Sequence, residues 1–102
     1  MKYKSNKLAR LEKNRYSILT EDLDRCYSCG KPASDIHEVF GGRNRQQSMR
    51  YGFCVPLCRN CHMLIERDVN LDFEMKLKMQ LFFEKTHTRD EFLKIIGRNY
   101  EL

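Results

Sequence analysis

Two Cys-x2-Cys pairs constrain this chain more than anything else in it. Cys26-Tyr27-Ser28-Cys29 and Cys58-Arg59-Asn60-Cys61 are separated by twenty-eight residues in a sequence of 102. Each pair places two thiolates on one tight knuckle, and two knuckles make a tetrahedral four-sulfur site that suits zinc. Gly30, directly after the first pair, supplies the backbone freedom such a knuckle needs. Disulfides are the competing reading, but residues 1–25 lack the apolar stretch of a secretory signal and the spacing suits a metal. A chain this short buries only about 60–70% of its unfolded surface, so a metal staple matters to it. The fifth cysteine, Cys54, alternates within an apolar segment and reads as core.

Charge is distributed unevenly. Residues 1–15 carry six bases (Lys2, Lys4, Lys7, Arg10, Lys13, Arg15) against one acid, Glu12, which accounts for the whole net charge of +5. Residues 39–65 hold Arg43, Arg45, Arg50 and Arg59 and no acid. Arginine is favoured where phosphate is gripped bidentately, so this segment points to a polyanion partner. A solvated charged tail explains the N-terminus equally well. No apolar run approaches the roughly 18–20 residues needed to span a bilayer, and a cytoplasmic protein is expected.

Three parts follow: a basic arm or short helix over 1–25, a cysteine-bearing core over 26–70 and a helical extension over 71–102. Residues 4–16 form a thin helix through Leu8 and Leu11, or an arm that orders on binding. Ile36–Phe40 and Phe53–Leu57 read as strands, with Pro56 ending the second or lying at an edge. Helix begins near Met63 and Leu64, and a second helix runs through Leu71, Met75, Leu81 and Phe82. Thr88-Arg89-Asp90-Glu91 is a capping-box pattern opening a last helix, which Gly97 stops.

A knuckle, a hairpin and a helix starting at the second ligand pair describe a treble clef. The order Cys26-x2-Cys29, His37-Glu38, then Val55-Pro56-Leu57-Cys58-x2-Cys61-His62 resembles the HNH (ββα-metal) endonucleases, most of all small phage-type members with structural zinc. The resemblance covers roughly residues 26–66. It implies an α+β, zinc-stabilised treble clef with additional C-terminal helices, and hydrolysis of DNA phosphodiesters to 5′-phosphate and 3′-hydroxyl ends.

Carried over by position, the resemblance makes His37, His62 and Glu66 ligands of a second divalent cation, Mg²⁺ or Mn²⁺. His62 and Glu66 stand four apart, and so on one helix face. Glu38, or His37 with a smaller ligand set, activates water; Arg43, Asn44, Arg45, Arg50 and Arg59 contact DNA. The sequence departs from the family pattern twice. Glu38 occupies the place of the usual base histidine, and Phe53 that of the usual asparagine. Each assignment has a plainer counterpart: His62 capping or packing, His37 satisfied locally, Glu66 solvated. His87 reads as surface, and Met75 to Phe83 as core or a dimer face, the C-terminal helices being candidates for a homodimer contact. The alternative to a nuclease is a catalytically silent treble clef that binds DNA or a protein.

Overall fold

The computed structural model describes residues 6–101. Lys2 and Lys4 of the basic arm lie outside them. Five helices surround a two-stranded antiparallel sheet, an α+β arrangement: α1 (Asn6–Lys13), β1 (Asp35–Glu38), α2 (Arg45–Tyr51), β2 (Cys54–Leu57), α3 (Arg59–Arg67), α4 (Val69–Phe83) and α5 (Arg89–Ile96). No helix among the described residues is long and apolar enough to cross a membrane.

The register pairs Asp35 with Leu57, Ile36 with Pro56, His37 with Val55 and Glu38 with Cys54. Pro56 is tolerated because β2 has only one strand neighbour. Its carbonyl faces the other edge and accepts the Tyr27 N–H at 2.8 Å, tying the first knuckle to the sheet. Ser34 N–H donates to the Leu57 carbonyl at 3.0 Å and continues that tie.

The expected strands are shorter than the apolar runs that announced them. Val39, Phe40 and Phe53 lie beyond the ladder and instead enter the core with Val55, Leu57, Ile65, Met79, Phe83, Phe92 and Ile96. Helix α2 has no counterpart among the expected elements, because Arg45-Gln46-Gln47 reads as polar loop. Buried Ser48 anchors it: its hydroxyl donates to the Phe40 carbonyl at 2.7 Å and accepts from the Phe40 N–H at 3.0 Å. Gly52 closes α2 at φ +74°, where a Cβ would stand 2.5 Å from Tyr16 Cε2. Only glycine fits both that backbone and that contact.

The C-terminal half follows its sequence signals closely. Asp68 caps α4 by accepting from the N–H groups of Asn70 and Leu71. Thr88 and Glu91 form the reciprocal capping box, and Gly97 ends α5 in the left-handed region. Helix α1 lies against α2. Arg15 and Arg45 both bind Glu38, and Arg45 also reaches Glu12, so ion pairs join α1, β1 and α2.

Candidate metal centre and the histidine cluster beside it

The first knuckle is shaped by Gly30, at φ +79°, whose N–H returns to the Cys26 carbonyl at 2.9 Å. The second is the start of α3: Cys58 is its N-cap, with Sγ accepting from the Cys61 N–H at 3.4 Å. These two turns bring the sulfurs of Cys26, Cys29, Cys58 and Cys61 within 4.8 Å of one another. Tetrahedral thiolates about 2.3 Å from zinc would stand about 3.8 Å apart. The Cys29 and Cys58 sulfurs are 3.7 Å apart, far beyond a disulfide bond, and all five cysteines are free.

Two thiols of the cluster, Cys26 and Cys61, are shifted in opposite directions. Burial opposes ionisation of Cys26, yet the backbone N–H groups of Cys58, Cys29 and Ser28 outweigh it and bring its pKa down to about 6. Burial and the neighbouring thiols push Cys61 up to about 12. Four adjacent thiolates need a cation between them, and the donor set fits zinc. Cys54 stays outside this group: it is fully buried, and burial followed by the Glu38 carboxylate raises its pKa to about 12.

Beside the knuckles, the pleat of β1 divides its side chains between two faces. Asp35 and His37 turn toward α3. Asp35 Oδ2 lies 2.8 Å from His62 Nδ1, and Asp35 Oδ1 pairs with Arg59 at 3.0 Å. His62 Nε2 faces Glu66 Oε1 at 3.5 Å, as expected of positions four apart. The rings of His37 and His62 meet edge to face, with centroids 5.0 Å apart. Nε2 of His37 is buried with no hydrogen-bond partner among the described residues. Burial first, and then the neighbouring His62, lower the pKa of His37 and favour the neutral ring.

Several expected site residues stand elsewhere. Glu38 is on the opposite face of β1, held by Arg15 and Arg45. Strand alternation separates it from His37, so it is not placed to activate water beside that ring. Asn44 donates its side-chain N–H to the Ile96 carbonyl at 2.9 Å and thereby fastens the end of α5. Arg45 is committed to Glu12 and Glu38, and Arg59 to Asp35. The donors of His37, His62 and Glu66 are not gathered tightly: the four cysteines are the one group of such donors within 4.8 Å of one another among the described residues. Asp35 escaped notice because its partner is twenty-seven residues away in sequence and no local spacing links them.

Arg43 and Arg50 line an open groove of about 610 Å³ with Lys7, Gln46 and Gln47. No acid lines it, and neither arginine nor Lys7 forms an ion pair among the described residues. His87 is exposed, as expected, and its ring stacks on Phe83 at 4.0 Å.

Fold and site together define a small α+β protein with a four-cysteine cluster able to hold a metal such as zinc. The chain belongs to the family described as a protein of unknown function, DUF968, which matches residues 3–95. Neither a curated protein nor a solved structure matches the chain.

The two-arginine clamp on Glu38 is testable. In Glu38→Gln, α1 should loosen while the affinity of the four-cysteine cluster for added zinc is unchanged, because the clamp ties α1 to the sheet and not to the knuckles. Hydrogen exchange over residues 6–16 should rise at least about tenfold against an unchanged α3. Equal exchange in both proteins would mean that the Glu38 pairs do not hold α1 in place.

Proposed function

We propose that this protein is a zinc-stabilised treble clef of the HNH-like kind that binds DNA and hydrolyses its phosphodiester bonds. The observation that carries the reading is the meeting of β1 and α3, which sets His62 in contact with Asp35, Glu66 and the His37 ring beside the cysteine knuckles. Zinc at Cys26, Cys29, Cys58 and Cys61 is structural in this reading, since four thiolates close its coordination.

His62 and Glu66 would hold the second, divalent cation. Asp35 takes His62 Nδ1 and leaves Nε2 facing Glu66, the arrangement by which a carboxylate orients a ligating imidazole. A mixed imidazole–carboxylate pair suits Mn²⁺ or a similar ion. Such a cation, held there, would neutralise charge on the phosphate and on the leaving oxygen. His37 replaces Glu38 as the candidate base, because it shares the face of β1 that meets α3 and its Nε2 has no partner among the described residues. That nitrogen is buried, so in this reading water must enter beside the ring before giving up a proton to it. The resulting hydroxide attacks phosphorus, the bond to the 3′-oxygen breaks, and that oxygen leaves with a proton from solvent. The groove of Lys7, Arg43 and Arg50 holds flanking phosphates.

Cleavage of plasmid and branched DNA, compared across Mg²⁺, Mn²⁺, Ni²⁺ and Zn²⁺, tests this. Activity should be lost in His37→Ala and in His62→Ala and retained in Glu38→Gln. Cleavage that survives both histidine substitutions overturns the assignment. The second reading, a silent DNA-binding domain, draws support from the clamped Glu38 and from Phe53 filling the family's asparagine position inside the core. It expects one zinc per chain, DNA binding and no cleavage with any cation.

The groove has its own test. Replacing Lys7, Arg43 and Arg50 together by Gln should flatten the dependence of log affinity on log salt by up to about three units on duplex DNA, near 0.9 per phosphate contact. An unchanged slope would place the DNA elsewhere.

A further inference from the structure

Six of the seven most exposed large apolar side chains among the described residues lie on α3 and α4: Met63, Leu64, Val69, Leu71, Leu81 and Phe82. Helix α4 is apolar on two sides. Met75, Met79 and Phe83 turn inward and are buried, while Leu71, Leu81 and Phe82 remain 37–44% exposed. A helix that is apolar all round is ordinarily covered all round, and here one side is open. That side is a groove of about 320 Å³ lined by Glu74, Leu77, Lys78, Leu81, Phe82 and Lys85.

We propose that this face is where a second copy of the chain docks, with the two α4 helices antiparallel about a two-fold axis. The charge pattern selects that occupant. Glu74 stands at one end of the apolar stripe and Lys85, with its ammonium 5.0 Å from the Phe82 ring centroid, at the other. A two-fold axis midway between them sets Glu74 of each copy against Lys85 of its partner, Leu77 against Phe82, and the stem of Lys78 over Leu81. The stripe is thus complementary to itself, as a contact between identical surfaces must be. DNA or an anionic membrane would favour lysine at both ends, and Glu74 opposes both. One helix pair with neighbouring α3 residues makes a small interface, at or below about 1,200 Å² in total, which suits a reversible dimer. This inference does not depend on the nuclease reading.

Sedimentation of the full zinc-loaded chain over a range of protein concentrations tests it. The wild type should dimerise reversibly. Glu74→Lys and Lys85→Glu should each weaken dimerisation about tenfold or more, because each places two like-charged pairs in the interface. Mixing the two variants should restore a dimer, since the mixed pair has Lys against Glu at both ends. Both side chains are exposed, and unchanged zinc content and melting would show that the variants fold. The proposal fails if the wild type is monomeric throughout, if either swap leaves dimerisation unchanged, or if the mixture remains monomeric. Attachment to anionic lipid vesicles without self-association would also overturn it.

Discussion

Stripping the metal should unfold this protein. Structural zinc in small peptides contributes about 10–16 kcal/mol, against a total stability of about 5–15 kcal/mol for an ordinary domain. Here the cluster fastens the first knuckle to the start of α3, beside the Tyr27–Pro56 and Ser34–Leu57 hydrogen bonds that tie the same region to β2. Cys26 belongs to the buried core, β2 runs directly into Cys58, and Cys58 caps α3. Without a cation, four crowded thiols must stay protonated or repel. A strong chelator, or Cys58→Ser with Cys61→Ser, should therefore abolish the cooperative thermal transition and expose apolar surface to a hydrophobic dye. Metal analysis of the untreated protein should return one zinc per chain. A sharp melt unaltered by chelator and by the double substitution would show that the cluster is not a staple.

Phe53→Ala should be the most damaging single truncation in the apolar core. Phe53 is fully buried just ahead of β2, and its ring meets four others. The centroid distances are 5.5 Å to Phe40, 6.1 Å to Tyr51, 5.3 Å to Phe83 and 6.0 Å to Phe92. It is the point at which the sheet, α4 and α5 share one packing contact. Truncating such a ring costs about 3–5 kcal/mol, which should lower Tm by more than about 10 °C in a domain of this size. Phe53→Leu, which keeps most of the volume, should cost less than about 1.5 kcal/mol. Similar melting of the alanine variant and the wild type would show that the aromatic cluster is not the core. Phe53→Asn would leave an unpaired amide among these rings, so this position cannot supply the asparagine that the resemblance to HNH endonucleases would place here without refolding the core.

The sequence by itself determined the elements whose signals are local. The two cysteine pairs announce the cluster because two residues of spacing fix a knuckle. The Thr88–Glu91 capping box and Gly97 bound α5 because caps are settled within one helical turn. Cys54 as core and the proximity of His62 to Glu66 follow from strand and helix periods in the same way. Tertiary structure alone decided what depends on groups far apart in the chain. Asp35 reaches His62 only because β1 and α3 pack together, and Glu38, set on the other face by strand alternation, is clamped there by Arg15 and Arg45, which come from either side of it in sequence. Asn44, spent on the end of α5, and α2, held by Ser48 against Phe40, belong to the same class. Their partners are chosen by packing, and no period or spacing along the chain records that choice.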